Sequence, residues 1–335
     1  MKIKKSMGLL FAAVLTLGLA ACGGNSEGSE PKVDSASDGK ANYPTKQIEL
    51  IVPFAPGGGT DIVARAYADA MKDHLAKPIG VINKTGGAGT VGITEGVKAK
   101  ADGYTATLIT GDFAILPSLG LATFGVDDMK PVAQLNADPS AVTVSADAPW
   151  NTIEEFVEYA KENPEKIRVG NAGSGSIWHL SAAALEDVTG AKFGHIPYDG
   201  AAPAVTALLG GHVEAVTVSP AEVSAHLASG KLKMLAVMTD ERLDKYEDIP
   251  TLKESGIDLS VGTWRGIGVP KDTPQEVVDV LKEASKKAVE EATFIEVLDK
   301  MNLGLVYKDD QGFAEVIDND YELFRKLIEQ SNLKQ

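Results

Sequence analysis

From Tyr43 onward, short apolar runs alternate with longer amphipathic ones, and this alternation constrains the fold more than any other feature of the chain. Residues 47–54, 79–83 and 105–110 read as strands, and 60–75 and 90–99 between them carry helical spacing. Parallel neighbours need a long crossover, which a helix supplies, so strand–helix alternation predicts an α/β fold with a largely parallel sheet. A second series follows Trp150. The capping-box pattern Thr152-Ile153-Glu154-Glu155 opens a helix that runs through Lys161. Strands are then expected at 167–170, 193–196, 215–218 and 233–237, with helices at 176–188, 202–209 and 221–228 between them.

About 290 residues follow the N-terminal region, more than one core usually holds, so each series is expected to form a lobe. Residues 131–146 lead into the second series and 262–270 lead out, both apolar enough to be strands shared between lobes. Thr273-Pro274-Gln275-Glu276 then predicts another capping box and a helix to about Asn302, and a last helix is expected over 312–330. The lobes are thus expected to comprise 43–143 with 263–335, and 144–262.

The N-terminus places the protein. Lys2, Lys4 and Lys5 precede an apolar run from Met7 to Ala21, the charged, apolar and small-residue parts of an export signal over 1–21. The run is shorter than the roughly 20 residues a membrane span needs. It ends in Leu19-Ala20-Ala21-Cys22, which resembles a bacterial lipobox and makes Cys22, the chain's only cysteine, the expected lipid-modified anchor on the outer face of the cell membrane. With no second cysteine, neither a disulfide nor a cysteine-ligated metal site is expected. Residues 22–42 lack aromatics and nearly all large aliphatics, so they are expected to be a flexible tether.

The formal charge is −15 and becomes −18 once the three signal lysines leave. The five arginines are scattered and no basic stripe exists, which argues against nucleic acid as a partner.

The segment Pro53-Phe54-Ala55-Pro56-Gly57-Gly58-Gly59-Thr60-Asp61 joins a strand to a helix. Such a corner leaves backbone N–H groups pointing into one concavity, where the helix dipole favours an anion, and glycine lets a ligand approach closely. Thr60 is the expected N-cap, with Asp61 complementing the dipole in the first turn. A plain structural turn is the alternative. The second series repeats the design in Arg168-Val169-Gly170-Asn171-Ala172-Gly173-Ser174-Gly175-Ser176, with Ser176 as cap. One corner per lobe suggests a clamp whose amides and hydroxyls hold a small organic acid without an arginine.

These motifs, with Tyr43-Pro44, Gly86-Gly87-Ala88-Gly89, His179-Leu180 and Pro197-Tyr198-Asp199-Gly200-Ala201-Ala202-Pro203-Ala204, resemble the receptors of tripartite tricarboxylate transporters, or Bug proteins, over about residues 43–330. The resemblance implies a two-lobed periplasmic-binding-protein fold, type II-like, that acts as a monomer without cofactor, metal or catalysis. It closes on an organic acid (a di- or tricarboxylate, an amino acid or an aromatic acid) and delivers it to a permease of one large and one small subunit. It also implies ligand contacts from Phe54, Ala55, Gly57, Gly58, Gly59, Thr60 and Asp61, and from Asn171, Ser174, Gly175 and Ser176. By analogy Gly111 and Asp112 line the same cleft, and Asp199 stands at its edge. Asp112 and Asp199 depart from the family, which often has a small neutral residue and a lysine there. Facing the cleft, they would repel a polycarboxylate and accept an ammonium or hydroxyl group; as exposed loop acids they would do neither.

A rival reading is a dinucleotide-binding oxidoreductase. Gly87-Ala88-Gly89-Thr90-Val91-Gly92 matches G-x-G-x-x-G, with Asp112 about 20 residues on. A hydrolase would use Ser174 or Ser176 with His179 and Asp199, although no G-x-S-x-G elbow is present. His74, His195, His212 and His226 lack metal-ligand spacing. Trp178, Trp264 and Tyr198 are open between ligand contact and core.

Overall fold

The computed structural model describes residues 43–330. The expected export signal, the tether over 22–42 and the Cys22 anchor lie outside them.

Strands β1 (Ile48–Val52), β2 (Ile79–Asn83) and β3 (Thr105–Thr110) alternate with helices α1 (Gly59–Ala70) and α2 (Thr90–Val97), and a short helix α3 (Asp112–Ile115) follows β3. β1 pairs in parallel with both β2 and β3, as the alternation predicts. The long strand β4 (Met129–Pro139) leads to β5 (Ala141–Ser145) and into the second series. There α4 (Ile153–Glu162), β6 (Arg168–Asn171), α5 (Ile177–Thr189), β7 (Gly194–Pro197), α6 (Ala201–Leu209), β8 (Ala215–Val216), α7 (Pro220–Ala228) and β9 (Leu232–Val237) follow in order. β10 (Gly262–Pro270) returns, and α8 (Gln275–Ala288), α9 (Ala292–Lys300), β11 (Leu305–Lys308) and α10 (Asp310–Gln330) complete the chain.

Two mixed sheets result. The first has the order β11-β4-β10-β3-β1-β2 and the second β7-β6-β8-β5-β9. The antiparallel pairs β10–β3 and β10–β4 insert the returning strand into the middle of the first sheet. Each sheet has its own apolar core. Leu50, Val63, Tyr67, Leu108, Ile267 and Leu281 belong to the first, and Val144, Phe156, Val169, Leu185 and Leu235 to the second. A third cluster joins the lobes, with Phe54 and Ile115 beside Ala172, Ile177, Trp178 and Phe324 of α10. The two crossings run side by side: Ser140 N–H donates to the Val261 carbonyl at 2.9 Å, and Val261 N–H donates to Met238 at 3.1 Å.

Some local expectations are corrected. The helix expected to run to Asn302 is two helices, because Glu291 turns extended and redirects α9 so that Phe294 and Leu298 enter the first core. Thr273 caps nothing; its hydroxyl donates to the Pro270 carbonyl at 2.7 Å, and Pro274 occupies the cap position. Thr152 does cap α4, accepting from Glu155 N–H. Strand β11, half-exposed and four residues long at a sheet edge, gives too little pattern to be read from the sequence.

Candidate ligand-binding site

Each glycine corner opens at the C-terminal end of its strand and meets a different loop of the opposite lobe, the first meeting residues 199–202 and the second the turn at Ala88. These contacts are backbone-close. Ala55 N–H donates to the Asp199 carbonyl at 3.0 Å. A Cβ on Gly58 would lie 3.7 Å from Ala202 N, and one on Gly200 3.1 Å from Ala55 N. Gly173 takes φ +119°, and a Cβ there would meet Ala88 Cα at 2.8 Å, so only glycine allows this approach.

The cap at the first corner is Gly58, not Thr60, which lies inside α1 because the helix starts two residues earlier than the hydroxyl suggests. The freed hydroxyl accepts from Arg265 Nε at 3.1 Å. Asp61 is buried and turns back to accept from Gly57 N–H at 3.0 Å and from Asn83 Nδ2 and Arg65 Nε at 2.9 Å each. Burial works against its charge, but these hydrogen bonds outweigh it and hold the carboxyl below the usual range. At the second corner Ser176 caps α5 as expected, accepting from His179 N–H at 3.3 Å. Asn171 Oδ1 accepts from Gly173 N–H, while its buried Nδ2 has no partner. Gly175 N–H donates to His179 Nδ1 at 2.9 Å.

Two further amides are met by carboxylates from the opposite lobe. Asp112, on α3, accepts from Ile177 N–H at the start of α5 at 2.7 Å and from the Thr110 hydroxyl at 2.6 Å. Glu222, on α7, accepts from Gly59 N–H at the start of α1 at 3.2 Å. Each lobe therefore presents a carboxyl group to the first turn of a helix in the other. The corners were expected to be free cradles; in this closed arrangement their own protein partly fills them. Asp112 is 2% exposed, which rules out the exposed-loop alternative for it, whereas Asp199 is exposed at the rim.

Behind these caps lies a charge cluster that the sequence reading missed. Arg265 is 1% exposed; its Nη1 donates to Asn136 Oδ1 at 2.6 Å and to Asp138, and its Nη2 lies 3.6 Å from Glu222 Oε1. Burial pushes the Glu222 carboxyl up to about 7 despite Arg265. Burial likewise raises Asp112, only partly offset by its hydrogen bonds and by the charge of Arg265. Both residues left signals: Ser219-Pro220-Ala221-Glu222 is a capping-box pattern, and an arginine within the apolar stretch 262–270 calls for a buried partner.

Phe54, Thr60, Asp112, Trp178, Thr263 and Arg265 share one interior cavity of about 10 Å³, the room of a single water. Gly111 adjoins it, 3.3 Å from the Thr263 hydroxyl when given a Cβ. Ser174 and Asp199 instead line an outer groove of about 830 Å³ with Gly87, Ala88, Thr90 and Tyr198. Trp264 belongs to the core, its ring against Phe313 and its indole N–H donated to Asp320 at 2.6 Å.

The rival chemistries find no support in this geometry. Gly92 and Gly89 bring the α2 turn against Pro53 and Phe54, and Asp112 is committed to Ile177. His179 accepts from a backbone amide, its pKa lowered to about 4 by burial and then by His195.

Two α/β lobes joined by crossing strands, with paired strand–helix corners across a polar cleft, define a solute-binding receptor. The family model for the tripartite tricarboxylate transporter family receptor matches residues 63–333, and the chain belongs to that family. A TctC solute-binding protein from Polaromonas is 49% identical, covering 86% of this chain and all of its own, at TM-score 0.65. The periplasmic binding protein BugD is 31% identical over 87% of this chain and 99% of its own, at TM-score 0.84. MatC from Rhodopseudomonas palustris, solved with bound malate, is 25% identical over 85% of this chain and all of its own, at TM-score 0.81. The family and these neighbours are extracytoplasmic solute-binding receptors, not enzymes. Among the described residues no helix is long and apolar enough to cross a membrane.

Proposed function

We propose that the protein is an exported lipoprotein, tethered by Cys22 to the outer face of the cell membrane, that captures a small organic acid between its lobes and hands it to a tripartite tricarboxylate-type permease. The observation that carries this reading is that each strand–helix corner meets the opposite lobe across the cleft, the first through Ala55 to Asp199 and the second through Gly173 to Ala88. MatC's malate supports an organic acid as guest. In this reading the lobes divide near residues 143 and 262, the protein acts as a monomer, and the ligand is contacted from residues 54–61, 111–112 and 171–176 and from Asp199.

Thermal-shift titration with mono-, di- and tricarboxylates and amino acids tests the capture. At least one is expected to raise the melting temperature, with Gly58→Val and Ser174→Val weakening the effect; no shift from any member, or full retention in both variants, refutes it. Cys22→Ala is expected to release the protein from membranes, and continued membrane association refutes the anchor.

A further inference from the structure

The cleft's charges do not balance. Arg265 is committed to Asp138 and Glu222, so one guanidinium already serves two carboxylates. Asp112 is a third carboxylate in the same interior; its hydrogen-bond partners are a hydroxyl and an amide, Arg265 acts on it only through space, and among the described residues no cationic nitrogen lies within ion-pair distance of it. Three buried carboxylates sharing one guanidinium are costly. The cavity beside Asp112 is also lined by two aromatic residues, Phe54 and Trp178, by the hydroxyl residues Thr60, Thr110 and Thr263, and by Arg265, whose charge is already met by Asp138 and Glu222. An excess of carboxylates, aromatic walls and hydroxyl acceptors around a space of one water suit a primary ammonium head, which is about that size and gains from carboxylate and aromatic π-cloud alike. A second anion placed there would face Asp112, and Arg265 has no free charge to offset it.

We propose that Asp112 selects the guest by receiving an ammonium group, so that the receptor takes an amino-group-bearing carboxylate in preference to a di- or tricarboxylate. This rests on the receptor reading above and names the substrate class of the same cleft. Asp112 is the specificity-determining residue, and the guest's cation supplies the direct ion pair that Arg265, committed to Asp138 and Glu222, does not make.

Calorimetric titration of the purified protein with matched probes tests this: α- and ω-amino acids of three to five carbons against dicarboxylates of the same lengths, including 4-aminobutyrate against succinate. At least one amino acid is expected to bind about tenfold or more tighter than its matched dicarboxylate, a difference of ~1.4 kcal/mol. Asp112→Asn, close in shape and still able to accept from Ile177 N–H, is expected to erase most of that preference without lowering the melting temperature of the unliganded protein. Asp112→Ser serves as the second variant should the amide fold poorly. A dicarboxylate that binds tighter than every amino acid overturns the proposal and leaves the receptor reading standing. An amino-acid preference that survives both variants also overturns it. Binding of neither class overturns the proposal, and the receptor reading then stands or falls on the wider thermal-shift series above.

Discussion

Arg265 is the residue on which the closed cleft depends most. It sits on β10 within the first sheet, yet its Nη2 reaches Glu222 of the second lobe. Removing it leaves Asp138 and Glu222 buried without their cation, the case in which breaking an ion pair costs far more than the pair contributes. Arg265→Met is expected to lower unfolding free energy by about 3–5 kcal/mol in denaturant titrations; a loss under about 1 kcal/mol would mean that the site relaxes or hydrates. Glu222 gives a companion prediction. Its carboxyl rises from 4.5 to about 7 on burial, so its contribution to stability is complete below the unfolded value and is lost as pH climbs through the folded one. Between about pH 4.5 and 7 the wild type is expected to lose about 3 kcal/mol relative to Glu222→Gln. The comparison with glutamine matters because Asp61 and Glu186, whose carboxyls are held low, slope the other way. Parallel stability–pH curves for the two proteins would contradict this account of Glu222.

At the scale of elements, β10 shows what sequence could and could not convey. Its apolar run announced a strand, which it is, but the expectation that it is shared between lobes is corrected: β10 lies wholly in the first sheet, and residues 131–146 likewise divide into β4 of the first sheet and β5 of the second. What the run did not announce is that Gly266 lies under the Phe313 ring of α10, where a Cβ would collide with the ring and stand 2.5 Å from the Ala133 carbonyl oxygen. Gly266→Ala is therefore expected to destabilise by about 1–3 kcal/mol, the usual cost of overpacking, with the denaturation midpoint shifting and the slope unchanged. No change in midpoint would show that α10 rides loosely on the sheet. The same limit explains which parts of the site were legible. Strand-to-helix turns at the glycine corners and the Ser176 cap are local patterns, set by residues within a few positions of one another, and the structure has both. The carboxylates that fill the corners come from far along the chain: Asp112 pairs with residue 177 and Glu222 with residue 59. Nothing in local periodicity links such positions. Thr60 was misassigned for a related reason, since its hydroxyl is taken by Arg265, more than two hundred residues away.

At the scale of the whole molecule, the decisive contact is between the lobes at Gly173. Its φ of +119° and its approach to Ala88 bring two backbones together, and backbone atoms cannot move aside as a flexible side chain can. A Cβ would meet Ala88 Cα at 2.8 Å and Ala88 N at 2.9 Å, so any larger residue has to hold the lobes apart. Within the second lobe that residue costs only the strain of its backbone angle, about 1–3 kcal/mol, while across the cleft it blocks closure. Gly230 separates these effects. It has φ +67° and nothing within 4 Å of its would-be Cβ, so Gly230→Ala reports local strain alone. Small-angle scattering is expected to give Gly173→Val a larger radius of gyration than the wild type, and Gly230→Ala the same one. A ligand that raises the wild type's melting temperature is expected to lose most of its effect on Gly173→Val, because the corners can no longer converge on it. If the radius stays unchanged and the ligand shift survives, the lobes are not held together at this point, and convergence of the two corners is not what captures the guest.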